Sequence, residues 1–442
     1  MLLQFSVENF ASFKDEVILS MIGKGTAKQK NELAEENVRV RGEFPILKSA
    51  AIFGANASGK SNLLAGMGFM KRVVLTSFRE ALNESTTLQE NRAFKFHSET
   101  QTESSFFEVT FLKNDTQYRY GFEINQGVIE EEWLFYVPNK VEARLFERSG
   151  TNIEINQSGF PEGKDLKSKT RNNVLFLSVC AQFDGTISNQ IIEWFQDVRF
   201  ISGIEDRSYA GYTVQKIKED PKFRAWVNAF AQFLEIVELT VSEEALENVR
   251  MDEISLPDEA QELREVFLAL GKLQAKQKTQ SVLKSWHRVY DDQRILMKTV
   301  PLDFHYESRG TQKLIYLLGP IYDALLSNRV LLIDELDARL HSLLTKELMR
   351  VFHAGNHSDG AAQFIYVLQD PYLMDNDSLR RDQIYLMEKN QYGESNLYSL
   401  LDYKKVRTDA RYGKNYLQGN YGAVPYLPDF VKLTDAIYGE AQ

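Results

Sequence analysis

Cysteine, histidine and long apolar runs are scarce in this sequence. Cys180 is the single cysteine among 442 residues, which excludes an internal disulfide and a zinc site built on cysteines. The six histidines are scattered and show none of the spacing of metal ligands. No apolar run reaches the roughly 18 residues of a membrane span, and the N-terminus lacks the features of a signal peptide. We therefore expect a cytoplasmic protein with no membrane partner.

A surplus of positive charge is also missing. Lysine and arginine number 52 against 62 acidic residues, which gives a net charge of −10. This balance argues against electrostatic attraction of the whole protein to nucleic acid, although a local basic patch stays possible. Hydrophobic residues make up 43% of the chain, as in an ordinary globular protein. The length predicts two to four domains, or one large domain with insertions.

Hydrophobic periodicity predicts a β-rich start and then a strand, a loop and a helix. The first fifty residues alternate in the manner of strands. The apolar residues 46–53 predict a buried strand that ends at Gly54, and the apolar spacing after Ser61 predicts a helix. Strand-like alternation returns over residues 103–148.

The middle of the chain has a different pattern. Apolar residues at three- and four-residue spacing predict helices through residues 186–285, including a stripe at 263–273. Mixed character returns from residue 296, with strong strands at 329–333 and 364–368. We therefore predict an α/β fold in three parts: 1–149, the first part of the main domain; 150–295, a mainly helical insertion; and 296–442, the second part of the main domain.

Residues 54–61 match the phosphate-loop pattern G-x-x-x-x-G-K-[ST] at every fixed position. In such a loop the backbone N–H groups surround phosphate oxygens, and the helix N-terminus favours the negative charge. Lys60 is expected to reach the β and γ phosphates of ATP, and Ser61 to bind Mg²⁺. The predicted ATP-binding residues here are Gly54, Ala55, Asn56, Ala57, Ser58, Gly59, Lys60, Ser61 and Asn62.

Two carboxylates follow the apolar strand at 329–333 and supply the second half of this site. Asp334 is predicted to hold Mg²⁺, and Glu335 to polarise the attacking water as the general base. The alternative is a strand end with solvated acids. Gly54 and Asp334 lie 280 positions apart (334 − 54), which is more chain than a small nucleotide-binding core needs. An insertion within residues 150–290 accounts for the difference.

The loop before the helical pattern of residues 314–325 contains Ser308, Gly310 and Gln312. This Ser-x-Gly-x-Gln sequence resembles the signature motif of ABC-type ATPases, although Arg309 and Thr311 occupy positions where small residues are usual. The resemblance implies that these residues contact the γ phosphate bound by a second subunit, so that ATP joins a dimer. The alternative is that Ser308 is an ordinary helix cap.

Two further residues follow from the same resemblance. Asp337 would lie in the loop that passes between the two ATP sites of a dimer. Gln369 follows the strand at 364–368, at the place where ABC-type ATPases usually carry a histidine that touches the γ phosphate. Glutamine donates a hydrogen bond but accepts no proton at neutral pH, so Gln369 as a catalytic residue predicts slow hydrolysis.

The motifs together resemble a narrower family. Residues 5–13 look like the opening strand of RecF- and SMC-type heads, and residues 307–312 and 333–337 are similar to the RloA/AriA/AbiL-type ATPases of bacterial anti-phage systems, as is the pattern at 416–425. The resemblance implies an ABC-type P-loop ATPase head, with an N-terminal antiparallel β lobe, a RecA-like core and a helical insertion. It also implies a sensor ATPase that uses ATP and Mg²⁺, forms a homodimer or larger oligomer, responds to a phage component and controls an effector encoded nearby, often a TOPRIM-type nuclease.

Two other functions stay open at this point. One is a RecF-like DNA-repair ATPase that binds DNA, and the other is a nucleotide-sensing scaffold with little hydrolysis. Residues 403–416 interleave basic residues with tyrosines, which suits either a nucleic-acid strand or a solvated surface. The glutamine that senses Mg²⁺ in ABC-type heads has two candidates here, Gln89 and Gln101.

Overall fold

The computed structural model describes residues 1–24, 36–41, 44–83, 86–245, 279–353, 360–403, 406–407 and 410–425. They fall into two units, the first made of Met1–Ile204 with Asp323–Gln442 and the second of Glu205–Tyr322. The second unit therefore starts and ends later than the predicted insertion at 150–295. The helical stripe predicted at 263–273 lies outside the described residues.

The regular elements in the described part of the chain are named in chain order. The strands are β1 (Leu2–Glu8), β2 (Val17–Ser20), β3 (Val38–Arg41), β4 (Phe44–Leu47), β5 (Ser49–Gly54), β6 (Ser105–Lys113), β7 (Thr116–Asn125), β8 (Val128–Val137), β9 (Ala143–Ser149), β10 (Asn152–Ile155), β11 (Val198–Ser202), β12 (Glu238–Ala245), β13 (Thr279–Tyr290), β14 (Leu296–Asp303), β15 (Val330–Asp334), β16 (Gln363–Val367), β17 (Ile384–Lys389) and β18 (Ser395–Ser399). The α-helices are α1 (Lys60–Glu80), α2 (Phe176–Gln182), α3 (Thr186–Asp197), α4 (Arg207–Glu219), α5 (Pro221–Gln232), α6 (Arg309–Leu326), α7 (Ser342–His353) and α8 (Tyr412–Leu417).

An antiparallel sheet of seven strands forms one layer of the first unit, in the order β10-β9-β8-β7-β6-β1-β2. Alternate residues of β6 are buried, as the sequence pattern predicted. The buried rings of Phe10, Phe69 and Phe107 lie 5.2–5.6 Å apart, centre to centre, and Phe69 belongs to α1. The helix that follows the phosphate loop is thus anchored to this sheet by aromatic packing.

The second sheet of this unit has the order β11-β15-β16-β5-β17-β18. The first five strands are mutually parallel, and β18 pairs antiparallel with β17. The apolar residues of β5, β15 and β16 are buried, which is expected for parallel strands covered on both faces. The predicted α/β class, with an antiparallel lobe and a parallel core, is confirmed.

The second unit contains α4, α5, most of α6 and the antiparallel sheet β12-β13-β14. Helix α5 forms as predicted, because Asp220 caps its first turn and Phe223, Val227 and Ala231 are buried at four-residue spacing. The prediction of helices throughout residues 186–285 is wrong, since β11, β12 and part of β13 lie there. The alternation of these strands in the sequence is weaker than the helical stripes beside them. None of the helices in the part of the chain described here combines the length and apolarity needed to cross a bilayer.

A buried polar cluster fixes the start of β5, the strand that leads to the phosphate loop. The Nε2 atom of His353 lies 2.7 Å from Ser49 Oγ, and Lys48 Nζ donates to the His353 carbonyl at 2.9 Å. Burial lowers the pKa of His353 to about 3, and the positive charges of Lys48 and Arg350 act in the same direction. His353 is therefore neutral in the folded protein at neutral pH.

This pKa predicts a loss of stability in mild acid. The unfolded chain binds a proton at His353 below its ordinary pKa of about 6.5, whereas the folded protein does so only near 3, so stability falls as the pH drops between these values. At pH 5 the loss relative to pH 7.5 is about 2 kcal/mol. Urea titrations at pH 5 and pH 7.5 measure the drop in the free energy of unfolding. This drop should be smaller by the same amount in His353→Gln than in the wild-type protein. The exposed control His305→Gln should keep the full drop; an unchanged drop in His353→Gln would contradict the assignment.

Candidate active site

The phosphate loop connects β5 to α1 and depends on a glycine at its end. Gly59 has φ +108°, a conformation that favours glycine, and it stands at the N-cap of α1. A Cβ atom there would lie 2.5 Å from the Oγ of Ser395 and 2.7 Å from that of Ser12. The loop can therefore pass between these two serines only with glycine at this position.

The two serines also hold the loop by hydrogen bonds. Ser395 Oγ donates to the Ser58 carbonyl at 2.7 Å, and the Ser395 N–H donates to the Ser12 carbonyl at 2.7 Å. Asn62 Nδ2 donates to Ser12 Oγ at 2.8 Å. Sequence reasoning missed Ser12 and Ser395, because each is an isolated serine far from the loop along the chain. The sequence carries no local signal for them.

Lys60 is folded back onto its own loop. Its Nζ donates to the carbonyls of Gly54 at 2.8 Å and Ala55 at 2.9 Å, and the residue is only 6% exposed. Burial lowers the pKa of Lys60, and the carboxylates of Asp334, Glu335 and Asp337 oppose that effect. The ammonium group is thus positioned at the loop and faces the acidic residues predicted to share its site.

Asp334 ends β15, and its Oδ1 atom is buried with no hydrogen-bond partner among the described residues. Ser61, at the first turn of α1, is exposed in the cleft. A carboxylate oxygen and a hydroxyl are ligands that Mg²⁺ accepts, and an orphaned buried oxygen fits a site that a cation completes. Asp334 and Ser61 would hold the metal, and this assignment stays a prediction.

Glu335 adopts φ +53°, an uncommon conformation for a residue with a side chain. Gly203 makes this geometry possible. Its N–H donates to the Asp334 carbonyl at 2.7 Å, and a Cβ atom on it would lie 2.1 Å from the Glu335 carbonyl oxygen. Gly203 was not predicted, and its only signal in the sequence is a glycine directly after an apolar strand.

Gln369 lies beside the predicted general base. Its Nε2 donates to Glu335 Oε1 at 3.3 Å. The backbone N–H groups of Gln369 and Asp370 both donate to Asp337 Oδ2, at 2.8 and 2.7 Å. Asp337 therefore fixes the loop that carries Gln369, and Gln369 in turn orients the Glu335 carboxylate.

These loops surround a cleft of about 440 Å³. Its lining residues are Asn56, Ala57, Ser58, Gly59, Lys60, Ser61, Asn62, Glu335, Val367, Gln369 and Lys389. Most of the predicted site residues of this unit thus line one cleft, whereas Gly54, Ala55, Asp334 and Asp337 do not line it. Lys389 is an additional exposed cation that was not predicted as a site residue.

The proposed signature residues belong to the second unit. Ser308 is exposed and caps α6, since its Oγ accepts the Thr311 N–H at 3.1 Å. Gln312 is buried and donates to the carbonyls of His305 and Glu307, at 2.9 and 2.7 Å. Ser308 is therefore available to an outside ligand, whereas the Gln312 side chain supports the loop; Gly310 is half-buried between them.

Other candidates lie elsewhere. Neither Gln89 nor Gln101 lines the cleft: Gln89 accepts the Thr86 N–H, and Gln101 donates to the Lys95 carbonyl. In the basic stretch at 403–416, Lys404 and Lys405 lie outside the described residues. Two of the tyrosines in this stretch, Tyr412 and Tyr416, are 3% and 5% exposed. They therefore cannot stack on bases as a nucleic-acid site requires.

The fold and the cleft define a P-loop nucleotide-binding protein. A model of the AAA_21 family, described as "AAA domain, putative AbiEii toxin, Type IV TA system", matches residues 49–375. The chain belongs to this family. A search of curated protein sequences gives no significant match.

Two solved structures are similar in fold. The SMC head domain from Thermotoga maritima is 11% identical, with 90% of this chain and 98% of that chain covered and a TM-score of 0.38. A structure of the recombination mediator protein RecF is 14% identical, with 90% and 98% covered and a TM-score of 0.33. Both TM-scores lie below 0.5, so neither similarity extends to function.

Nucleotide binding should depend on Lys60 and Asp334 in different ways. Lys60→Ala removes a charge-assisted contact and should weaken binding of a fluorescent ATP analogue by about 1.5–3 kcal/mol, with or without Mg²⁺. Asp334→Asn should leave metal-free binding intact but abolish the gain in affinity on adding Mg²⁺. Fluorescence titrations in Mg²⁺ and in EDTA separate the two effects, with the exposed Lys222→Ala as control. A full Mg²⁺ response in Asp334→Asn would contradict the metal assignment.

Proposed function

We propose that this chain is the ATP-dependent sensor or switch subunit of a bacterial anti-phage system. In this proposal ATP and Mg²⁺ bind in the cleft, two copies pair through their ATP sites, and the pair controls an effector protein encoded nearby, such as a TOPRIM-type nuclease. Hydrolysis of ATP is slow and changes the state of the pair. A phage component provides the trigger.

The observation that carries the proposal is the contact between Gln369 and Glu335. In this proposal Glu335 accepts a proton from an attacking water, and Lys60 contacts the phosphates of the nucleotide. Bound Mg²⁺ would neutralise part of the phosphate charge. Gln369 can orient Glu335 by donating a hydrogen bond, but it adds no charge and takes no proton. Such a site favours holding ATP over rapid turnover.

Ser308 supports the pairing step. It is exposed at the start of α6, a helix of 18 residues whose N-terminal N–H groups favour an anion. In the proposed pair, Ser308 and this helix end of one copy contact the γ phosphate held by the phosphate loop of the other. The description of the family names a toxin of a Type IV TA system, and a role alongside a second protein is in keeping with it.

Pairing should require both ATP and a free surface around Ser308. Glu335→Gln slows hydrolysis, so this variant should form a dimer or larger oligomer with ATP, measured by mass photometry. The double variant Glu335→Gln/Ser308→Arg should stay monomeric and still bind ATP. The arginine side chain blocks only the contact with the γ phosphate held by the other copy. Ser208→Arg, at the start of α4 in the same unit, is the matched control and should pair normally. Full pairing of the Ser308→Arg double variant would refute the signature assignment.

The partner can be identified by co-expression. The chain, tagged and expressed with its neighbouring genes, should retain the product of one of them in an ATP-dependent complex, and the pair of genes should protect cells against a phage. Lys60→Ala should lose both the complex and the protection. Salt-dependent DNA binding without any companion protein would instead support the RecF-like alternative. Retention of a companion with no ATP turnover at all would support the scaffold alternative.

A further inference from the structure

The last described segment of the chain touches both sides of the ATP site. Residues 412–425, which we name the C-terminal segment, begin with α8 and continue through a turn. One end contacts the phosphate loop, and the other contacts the loop that follows β16 and carries Gln369. None of the predicted catalytic chemistry uses this segment.

The first contact is a hydrogen bond to the phosphate loop. The Ala55 N–H donates to the Ala423 carbonyl at 2.9 Å, and the hydroxyl of Tyr416 donates to the same carbonyl at 2.9 Å. The carbonyl of Ala55 is one of the two that hold Lys60 Nζ. Ala423 therefore fixes a residue that positions the ammonium group of the site.

The second contact joins Gly413 to residues 371–374, in the loop that carries Gln369. The Gly413 N–H donates to the Met374 carbonyl at 3.0 Å. A Cβ atom on Gly413 would lie 2.1 Å from the carbonyl oxygen of Pro371, which leaves no room for any side chain. Pro371 is two residues after Gln369, and Asp370 between them is held by Asp337. A shift of α8 would therefore move the loop that orients Glu335.

The segment is packed firmly enough to connect the two contacts. Tyr416 and Tyr421 are 5% and 4% exposed. The Tyr421 carbonyl accepts hydrogen bonds from the hydroxyls of Tyr398 at 2.9 Å and Tyr403 at 2.5 Å. Burial raises the pKa of Tyr416 to about 12, so its hydroxyl stays protonated and remains a donor at neutral pH. Both ends of the segment are consequently held in place.

We propose that the C-terminal segment is a clamp that sets the position of Gln369 and Glu335 relative to Lys60. Gly413, Tyr416 and Ala423 are then positioning residues for hydrolysis, although none of them lines the cleft. The proposal rests on the ATPase function proposed above. It adds that the geometry of the general base depends on a part of the chain far from every nucleotide-binding motif.

A double-mutant cycle between Gly413 and Gln369 tests the clamp. Gly413→Ala should displace Pro371 and lower the single-turnover rate of phosphate release by about 10- to 100-fold, while the Kd for ATP changes by less than about threefold. In the Gln369→Ala background, Gly413→Ala should lower this rate by less than about threefold, because the Gln369 side chain through which Gly413 acts is absent. Gly211→Ala, where a Cβ meets nothing within 4 Å, is the control.

Tyr416→Phe is a second variant, which removes only the hydroxyl and keeps the ring. It tests the clamp if Gly413→Ala fails to fold. It should loosen the phosphate loop and weaken ATP binding about fivefold, while the melting temperature changes no more than in Tyr385→Phe. Tyr385 is the matched control, since its buried hydroxyl donates to the Ser20 carbonyl away from the cleft. Additive effects in the cycle, or unchanged ATP binding in Tyr416→Phe, would overturn the clamp. A wild-type protein that binds no ATP would instead overturn the proposed function.

Discussion

The parallel pairing of β15, β16 and β5 is the constraint on which the site depends. These three strands are neighbours in one sheet, so their carboxyl ends lie at a common edge. Strand β15 ends at Asp334 and is followed by Glu335. Gln369 comes shortly after the end of β16, and the phosphate loop continues from the end of β5. Residues that are 280 positions apart in the chain are thereby placed around one cleft. A slip of one residue in any of these pairings would turn the side chains of that strand to the opposite face and separate the motifs.

Glu335, the proposed general base, is held in a conformation that it would not adopt alone. A positive φ at a residue such as Glu335 costs about 1–3 kcal/mol and persists only where neighbouring structure determines it. Here Gly203 supports the backbone on one side, and the loop containing Gln369 supports the side chain on the other. The strain thus lies at the residue that the proposed reaction needs, and the surrounding parallel sheet supplies the stability that maintains it.

The sequence predicted those parts of the site whose chemistry is encoded locally. The phosphate loop and the pair Asp334–Glu335 each form a short pattern beside an apolar strand, and the structure places them together. The supporting residues could not be predicted, because Ser12, Ser395 and Gly203 act through backbone atoms or through the absence of a side chain. Their partners are distant in the chain, so no spacing rule identifies them. The strands of the second unit were missed because helical stripes dominate that stretch of sequence.

In the proposed function, this site separates ATP binding from ATP turnover. Binding depends on the phosphate loop and on Lys60, whose hydrogen bonds to its own loop would be exchanged for bonds to phosphate. In the same proposal, turnover depends on Glu335, whose orientation is set by an uncharged residue, Gln369, on a different loop. Among the described residues, the sheet and the C-terminal segment connect the two loops. In the proposed function, a partner that shifts the loop of Gln369 changes the rate of hydrolysis without releasing the nucleotide. That property is what a switch requires, since the ATP-bound state must persist until a second event ends it.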